Sequence, residues 1–507
     1  RDFFQEQGVE LAPGPKELMN MQRFYLYLNM TKPGEKLILS YSDTNAKGEG
    51  ISPAYLIGSI RSLYPKLKIE NSYCYPENPE AGIDLFLEKL VQETEKEHED
   101  ILEQVDETDA MFGELYSWYL RNPEYRSRVQ KLVQSAFAGK PKDIISQSVA
   151  KALYGEVSPY SATRLERFAA CAFAHFLQYG MKLTERVEYE FKPMDMGNVM
   201  HEALESFAEE VRKRGMKWTE LTEQERNEIA DRCLDNIVAD YGNTVLKSSA
   251  RNEYMIERTR RILRRTVWAL QKQLEQGEFQ PEGFEVTFGG GRIDRVDIME
   301  DQNKVYVKVI DYKTGNTSFD LVYLYHGLQL QLMIYLDGAL RVEQKKYPDK
   351  EIIPAGVFYY NIKDPMIQEK IDADVEAVSA GLMKELKMNG LVQADPELVY
   401  RMDSSLGSIP VAFNKDGSFR KNSSVADRTQ FAVLGRYVRT KIEKIRSSIL
   451  EGDAEVSPYE LGKKNACTYC PYMTVCGFDR RLSGYEFRRL KNFSDEELWK
   501  AFDREAE

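Results

Sequence analysis

The segment GRIDRVDIMEDQNKVYVKVIDYK, residues 291–313, carries two β-type runs, 292–299 and 304–312, separated by a short polar turn. Antiparallel pairing of such runs brings Asp294, near the start of the first, and Asp311, at the end of the second, to one end of a sheet. Side chains alternate between faces along a strand, so Lys313 projects to the same face as Asp311. One or two carboxylates with waters and phosphate oxygens commonly hold Mg2+. A cation beside them can orient an attacking water or stabilise charge developing on a phosphate. Metal, water and lysine are the parts for phosphodiester hydrolysis. The plain alternative is a surface ion pair at a strand end.

Working outward, the spacing predicts a strand over 283–288, a helix over 328–342 and a strand over 355–362. Gln331 and Tyr335 stand four apart on one face of that helix. Upstream, helices are expected over 161–180 (with a Ser N-cap and a Gly stop), 197–214, 222–241 and 251–273. His201 lies in GNVMH (197–201) and is one of only four histidines, with His98, His175 and His326. A neutral imidazole is a good metal ligand, although a lone helical histidine is more often structural. The helix at 251–273 has seven Lys/Arg against Glu253 and Glu257. Its run Arg258, Arg260, Arg261, Arg264 and Arg265 is a candidate phosphate track, with Arg258, Arg261 and Arg265 the chosen DNA contacts, or else a solvated basic face. Residues 366–390 and 426–450 also read as helices. Nearer the start, 19–29 and 53–64 read as helices, 35–41 (EKLILSY) as a strand and 115–137 as one helix.

At 507 residues the chain has room for about three domains. Hydrophobic content of 42% with 30% charged residues excludes a wholly disordered, collagenous or disulfide-scaffold chain. No apolar run reaches the roughly 18 residues of a membrane span, and no leader pattern precedes a cleavage site. Arg1 in place of Met is expected to mark a fragment or processed chain, and a cytoplasmic location is the default. The net charge is −12, but residues 77–109 hold 13 acidic residues against two lysines, so the remainder is near neutral. That stretch reads as a solvated helix or linker, and overall acidity does not exclude a polyanionic substrate.

Three of the six cysteines form Cys467–x2–Cys470–x5–Cys476. Thiolates this close together select zinc or an iron–sulfur cluster. A fourth ligand is wanted, with Cys171 the first candidate and His175 the second. Cys74 and Cys233 read as plain core or surface residues.

The order His201, Asp294, Asp311–x–Lys313, Gln331–x3–Tyr335 resembles the RecB-type branch of the PD-(D/E)XK nucleases, with Ile293 where the superfamily name has proline. The resemblance implies an α/β mixed sheet flanked by helices. It implies that His201, Asp294 and Asp311 surround Mg2+, that Lys313 serves the attacking water, and that Gln331 and Tyr335 support the site. A lone upstream cysteine followed by C–x2–C–x5–C is similar to the 4Fe–4S staple of AddB-type nuclease domains and of CRISPR-associated exonucleases. That favours the cluster over zinc and Cys171 as fourth ligand, although Ala172 replaces a common proline. PAGVFYYNIKDP (354–365) resembles the AddB pattern as well. MTKPGEKLIL (30–39) resembles the last motif of UvrD-like helicases, with Thr31–Lys32 in place of Thr–Arg. Lysine is not equivalent to an arginine finger, and no GxxxxGK[ST] loop occurs, so no ATP hydrolysis is expected of this chain.

The resulting expectation is an end of an inactive helicase-like domain at 1–75, an acidic helical linker at 76–157 and an iron–sulfur nuclease domain at 158–507. By resemblance the whole subunit would pair with an AddA-type helicase–nuclease and cut the 5′-terminated strand of DNA during double-strand break repair by recombination. The rival expectation is a non-catalytic DNA-binding and assembly module with a degenerate nuclease fold. A stand-alone CRISPR-type exonuclease is a weaker third.

Overall fold

A computed structural model describes residues 12–42, 50–69, 78–80, 82, 83, 86, 87, 90, 107–136, 144–184, 193–240, 249–367, 374–480 and 484–506. It divides into two compact units, Arg1–Gly82 and Ile83–Glu507. Cys74 and His98 lie outside the described residues.

The first unit contains α1 (Pro15–Thr31) and α2 (Tyr55–Leu63). Pro15 at the first helical position has no N–H to leave unpaired, and Glu17 bonds back to the Gly14 amide at 2.8 Å. Neither helix has a buried residue. The strand expected at 35–41 does not form: these residues are irregular and exposed. A β run needs a neighbouring strand to satisfy its amides and carbonyls, and among the described residues none runs beside it. Thr31 is the last residue of α1, its hydroxyl donating to the Tyr27 carbonyl at 3.0 Å.

In the second unit, the acidic stretch is not solvated throughout. Ile83, Phe86 and Leu90 are buried against Tyr119 and Val129. Those partners lie on α3 (Glu107–Arg121) and α4 (Pro123–Ala136). The single helix expected over 115–137 is split at Asn122 because Pro123 lacks an amide hydrogen and clashes with the preceding turn.

The sheet has the order β1 (Gln280–Phe288), β2 (Gly291–Asp301), β3 (Lys304–Lys313), β4 (Glu351–Asn361), β5 (Asn389–Gln393) and β6 (Val425–Ala426). β1–β2, β2–β3 and β4–β5 are antiparallel, whereas β3–β4 and β5–β6 are parallel. The mixed α/β sheet flanked by helices is the architecture expected. The 366–390 segment is the exception, since its end turns into β5 and, among its described residues, Val375–Glu385 alone is helical. The β1–β2 turn is sharp: Gly289 and Gly290 have φ of 50° and 95°, and a Cβ on Gly289 would fall 2.2 Å from the Tyr160 ring.

Both faces of the sheet are covered. Alternate residues of β3, Val305, Val307 and Val309, enter one core with Leu165, Leu332 and Leu434. Tyr306, Ile310 and Tyr312 enter the other with Phe207, Leu234 and Leu263. The first core is supplied by α5 (Ala162–Ala170), and the second by α6 (Pro193–Lys213), α7 (Glu223–Asp240) and α8 (Ala250–Glu275). Further along, α9 (Gln331–Lys346), α10 (Arg428–Glu451) and α11 (Asp495–Ala506) complete the first core. Inside the second core, Arg295 (2% exposed) forms a two-pronged pair with Asp297 (0%) at 2.6 and 2.9 Å, and Lys308 adds a contact at 2.9 Å. The guanidinium stacks over Trp218 and Phe284. Breaking one member of such a buried network would leave an uncompensated charge in the core.

The helix expected over 161–180 breaks at Cys171, whose backbone is extended (φ −165°, ψ 118°) between α5 and a second turn, Ala172–His175, and a π-turn, Phe176–Gly180. Ser161 occupies the N-cap position without a side-chain cap bond.

Candidate active site

The β2–β3 register Arg295↔Ile310 puts Asp294 opposite Asp311 one step further along. On the other side, β1 pairs Phe284 with Arg295 and Val286 with Ile293, so Glu285 stands beside Asp294. Three carboxylates thus form a row across three strands. Glu285 has φ of 47°, a left-handed conformation uncommon outside glycine, Asn and Asp, and strain of that kind gathers at functional sites.

Asp294 is 8% exposed, accepts the Tyr312 amide at 2.7 Å and lies 3.4 Å from His201 Nδ1. His201 reaches the row because α6 begins close to the end of β3. Gly197, one turn earlier, would place a Cβ 3.3 Å from Thr314 Oγ1. Ligand atoms of His201, Glu285 and Asp294 all lie within 4.8 Å of one another. Asp311 is 1% exposed, with Lys313 Nζ 2.7 Å from its Oδ2. Lys313 also donates to Gln331 Oε1 at 2.8 Å, and Gln331 Nε2 donates to Tyr335 Oη at 2.8 Å. All six residues singled out in the sequence therefore meet at one end of the sheet.

The electrostatics are those of a site short of positive charge. Burial, then the charge of Asp294, pushes the Asp311 carboxyl up to about 7, against the pull of Lys313. Burial and Asp294 hold Glu285 at about 7 as well, although Arg292 pairs with it. Burial would lower His201, but its bond to Asp294 and the nearby carboxylates win and raise it. Oxygen and imidazole donors that repel one another and retain protons near neutrality are a donor set a divalent cation fits. Glu285 is absent from the sequence motifs: its approach depends on the β1 register and a left-handed backbone, neither of which leaves a sequence signal.

Cys171, Cys467, Cys470 and Cys476 line one small apolar pocket with Phe173, Val456 and Phe478. The break after α5 turns Cys171 towards it, and the Phe173 amide bonds the Glu455 carbonyl at 3.0 Å. Burial and the other three thiols push Cys467 up to about 12. No three of these sulfurs lie within 4.8 Å of one another as the His201 set does. His175 does not line this pocket. It is fully buried, accepts from Arg164 Nε at 3.3 Å, and burial lowers it to about 3. Cys233 is buried in the second core.

The basic run on α8 is partly neutralised. Arg260 pairs with Asp235 at 2.7 Å, Arg264 with Asp231, and Arg261 with Asp364 at 2.8 Å. Arg258 and Arg265 line a groove with Tyr254 and Trp268, Arg265 lying over the Trp268 ring.

The profile of the PD-(D/E)XK nuclease superfamily matches residues 159–477, and the chain belongs to that superfamily. Its whole length also aligns with proteins named as the B-type subunit of an ATP-dependent helicase/deoxyribonuclease, which bears out the AddB-type resemblance. The protein from Lachnoclostridium phytofermentans is 40% identical over 533 residues, all of this chain and 45% of the relative. Those from Clostridium acetobutylicum and Alkaliphilus metalliredigens are 32% and 31% identical, again over all of this chain and 46% of each relative. The chain thus spans a little under half the length of these relatives. No helix among the described residues is long and apolar enough to cross a membrane.

Proposed function

We propose that this chain supplies the nuclease of an AddB-type subunit, a Mg2+-dependent deoxyribonuclease that cuts one strand of DNA. The observation that carries the reading is the Asp294–Asp311 pair on adjacent strands with Lys313 held on Asp311. His201, Asp294 and Asp311, with Glu285 beside them, would hold the cation. When bound, it would polarise the scissile phosphate and lower the pKa of a water. Lys313 orients that water or meets charge developing on the phosphate, and Gln331 with Tyr335 fixes the ammonium. By resemblance the strand cut is the 5′-terminated one, the partner is an AddA-type helicase–nuclease, and the setting is cytoplasmic repair of double-strand breaks by recombination. The relatives' name supports the pairing of nuclease with helicase. We assign 1–75 to the end of the helicase-like region, 76–157 to the acidic helical connection and 158–507 to the nuclease. The deciding experiment is cleavage of single-stranded DNA with and without Mg2+, in the wild type and in Asp311→Ala.

The cysteine pocket fits a 4Fe–4S cluster: four thiols in apolar walls, with the charge of Cys171 felt at Arg488. Zinc is the alternative that iron and sulfide analysis separates.

Metal entry must displace protons from Asp311 and Glu285. Mg2+ affinity, measured calorimetrically, is therefore expected to rise as pH climbs from about 6 to 8. Raised carboxyl pKa values stabilise the metal-free fold below the unfolded values near 4, and that contribution is lost as pH rises through 7. Mg2+ should accordingly raise the melting temperature more at pH 8 than at pH 6; equal shifts would contradict the assignment.

The groove on α8 is assigned to single-stranded DNA, with Arg258 and Arg265 on phosphates, Tyr254 and Trp268 available for stacking, and Arg261 spared for the backbone only if Asp364 releases it. Replacing Arg258 and Arg265 by Ala should flatten the salt dependence of DNA binding by about 1.4 in log–log slope. An unchanged slope would make this helix an ordinary solvated face.

A further inference from the structure

Glu166 lies half-buried on α5, and nothing in the motifs gives it a role. Its Oε1 accepts two backbone amides at the start of α9, Leu330 at 2.7 Å and Gln331 at 3.0 Å. Leu330 occupies the N-cap position of α9 without offering a side-chain cap, so Glu166 supplies from another helix what the local sequence omits. The second of those amides belongs to Gln331, whose side chain receives the Lys313 ammonium. The Glu166 carboxylate also feels the charges of Lys313 and Asp311.

The same helix leads to the cysteines. Glu166 is five residues before Cys171, about 7.5 Å along a helical axis. The Cys171 amide closes α5 onto the Arg167 carbonyl, and Arg488 bonds the Ala169 carbonyl from the segment after the cysteine cluster. The end of α5 therefore runs into the cysteine pocket at Cys171 and is tied by Arg488 to the segment after the cluster, and its middle holds the start of α9.

We propose that Glu166 is a positioning residue through which the cysteine site sets the place of Gln331 and hence of the Lys313 ammonium. The inference rests on the nuclease reading above. Glu166 touches neither DNA nor cation; it fixes the first turn of α9. A misplacement of about 1 Å at a reacting group costs about 10²-fold, and that sets the size of the expected effect.

The test uses the full-length protein. Glu166→Ala should slow single-turnover cleavage of saturating single-stranded DNA by about 10- to 100-fold, leaving the Kd for DNA unchanged. Glu166→Gln keeps one carbonyl oxygen that can accept both amides, and should restore the rate to within about threefold of wild type. Because Glu166 acts through Gln331, the double variant Glu166→Ala/Gln331→Ala should be no slower than Gln331→Ala alone. Additive losses, or a Glu166→Ala rate equal to wild type, would overturn the proposal. Hydrogen exchange gives a readout independent of cleavage. Cys470→Ser, which leaves α5 intact, should speed exchange at the Leu330 and Gln331 amides while Leu336 and Ala339, deeper in α9, stay protected. Unchanged exchange at the first pair would remove the link to the cysteines. If the wild type itself cuts no DNA, the nuclease reading fails instead; if it cuts and Asp311→Ala does not, the outcome for Glu166 stands on its own.

Discussion

Asp311→Ala will cut single-stranded DNA at least about 10³-fold more slowly than wild type in Mg2+, with the fold intact. The metal's share of transition-state stabilisation is several kcal/mol, and each 1.36 kcal/mol is tenfold in rate. Asp311 contributes twice. It is one of two facing carboxylates, and it is the group that holds Lys313 at 2.7 Å. On the proposed reading its removal takes away a cation ligand and leaves the lysine held by Gln331 alone. The fold should not suffer, because burial and Asp294 already hold this carboxyl up to about 7. Removing a reluctant buried acid relieves repulsion, so the metal-free melting temperature at pH 8 should equal or exceed that of wild type. Asp311→Asn, which keeps the volume, should be as inactive as the Ala variant. Retained Mg2+-dependent cutting in either would move the chemistry elsewhere and leave the non-catalytic DNA-binding module as the better account.

The second large effect is structural. Cys467→Ser is expected to destabilise the full-length protein by at least about 5 kcal/mol, because binding energy at a structural metal site is folding energy. Cys467 is the thiol that burial and the other three cysteines push up to about 12. Burial raises the Cys171 thiol as well, and two such neighbours ionise together readily only beside a cation. With the cation in place, Cys171 is tied to residues some 300 positions later, and the ends of the nuclease domain close on each other. The measurements are thermal melting together with iron, sulfide and zinc content of wild type and variant. A wild type without metal, melting where the variant melts, would reduce the pocket to buried thiols. A zinc-loaded wild type would keep the closure and change only its chemistry.

Much of the active site was legible because it rests on short-range rules. Strand alternation puts Asp311 and Lys313 on one face, and helical spacing puts Gln331 beside Tyr335; both hold in the fold. The strand at 35–41 failed because a β run proposes pairing but cannot supply the neighbour. The helix over 161–180 failed in an informative place: amphipathic spacing continues through Cys171, yet the backbone opens there and turns the sulfur into the pocket. The basic run on α8 was visible as charge. Its neutralisation by Asp231, Asp235 and Asp364 was not, because the partners come from α7 and from a loop after β4.

The sequence by itself determined the β hairpin, the side on which its acids and lysine stand, and the close spacing of three of the cysteines, since each follows from periodicity or spacing within a few residues. Only the tertiary structure decided that Glu285 joins the carboxylate row, that Glu166 caps a helix from outside it, and that His175 stays away from the cysteines. These depend on strand register and helix placement, which are set by the burial of two large cores. Interactions summed over the whole domain leave no local mark in the chain.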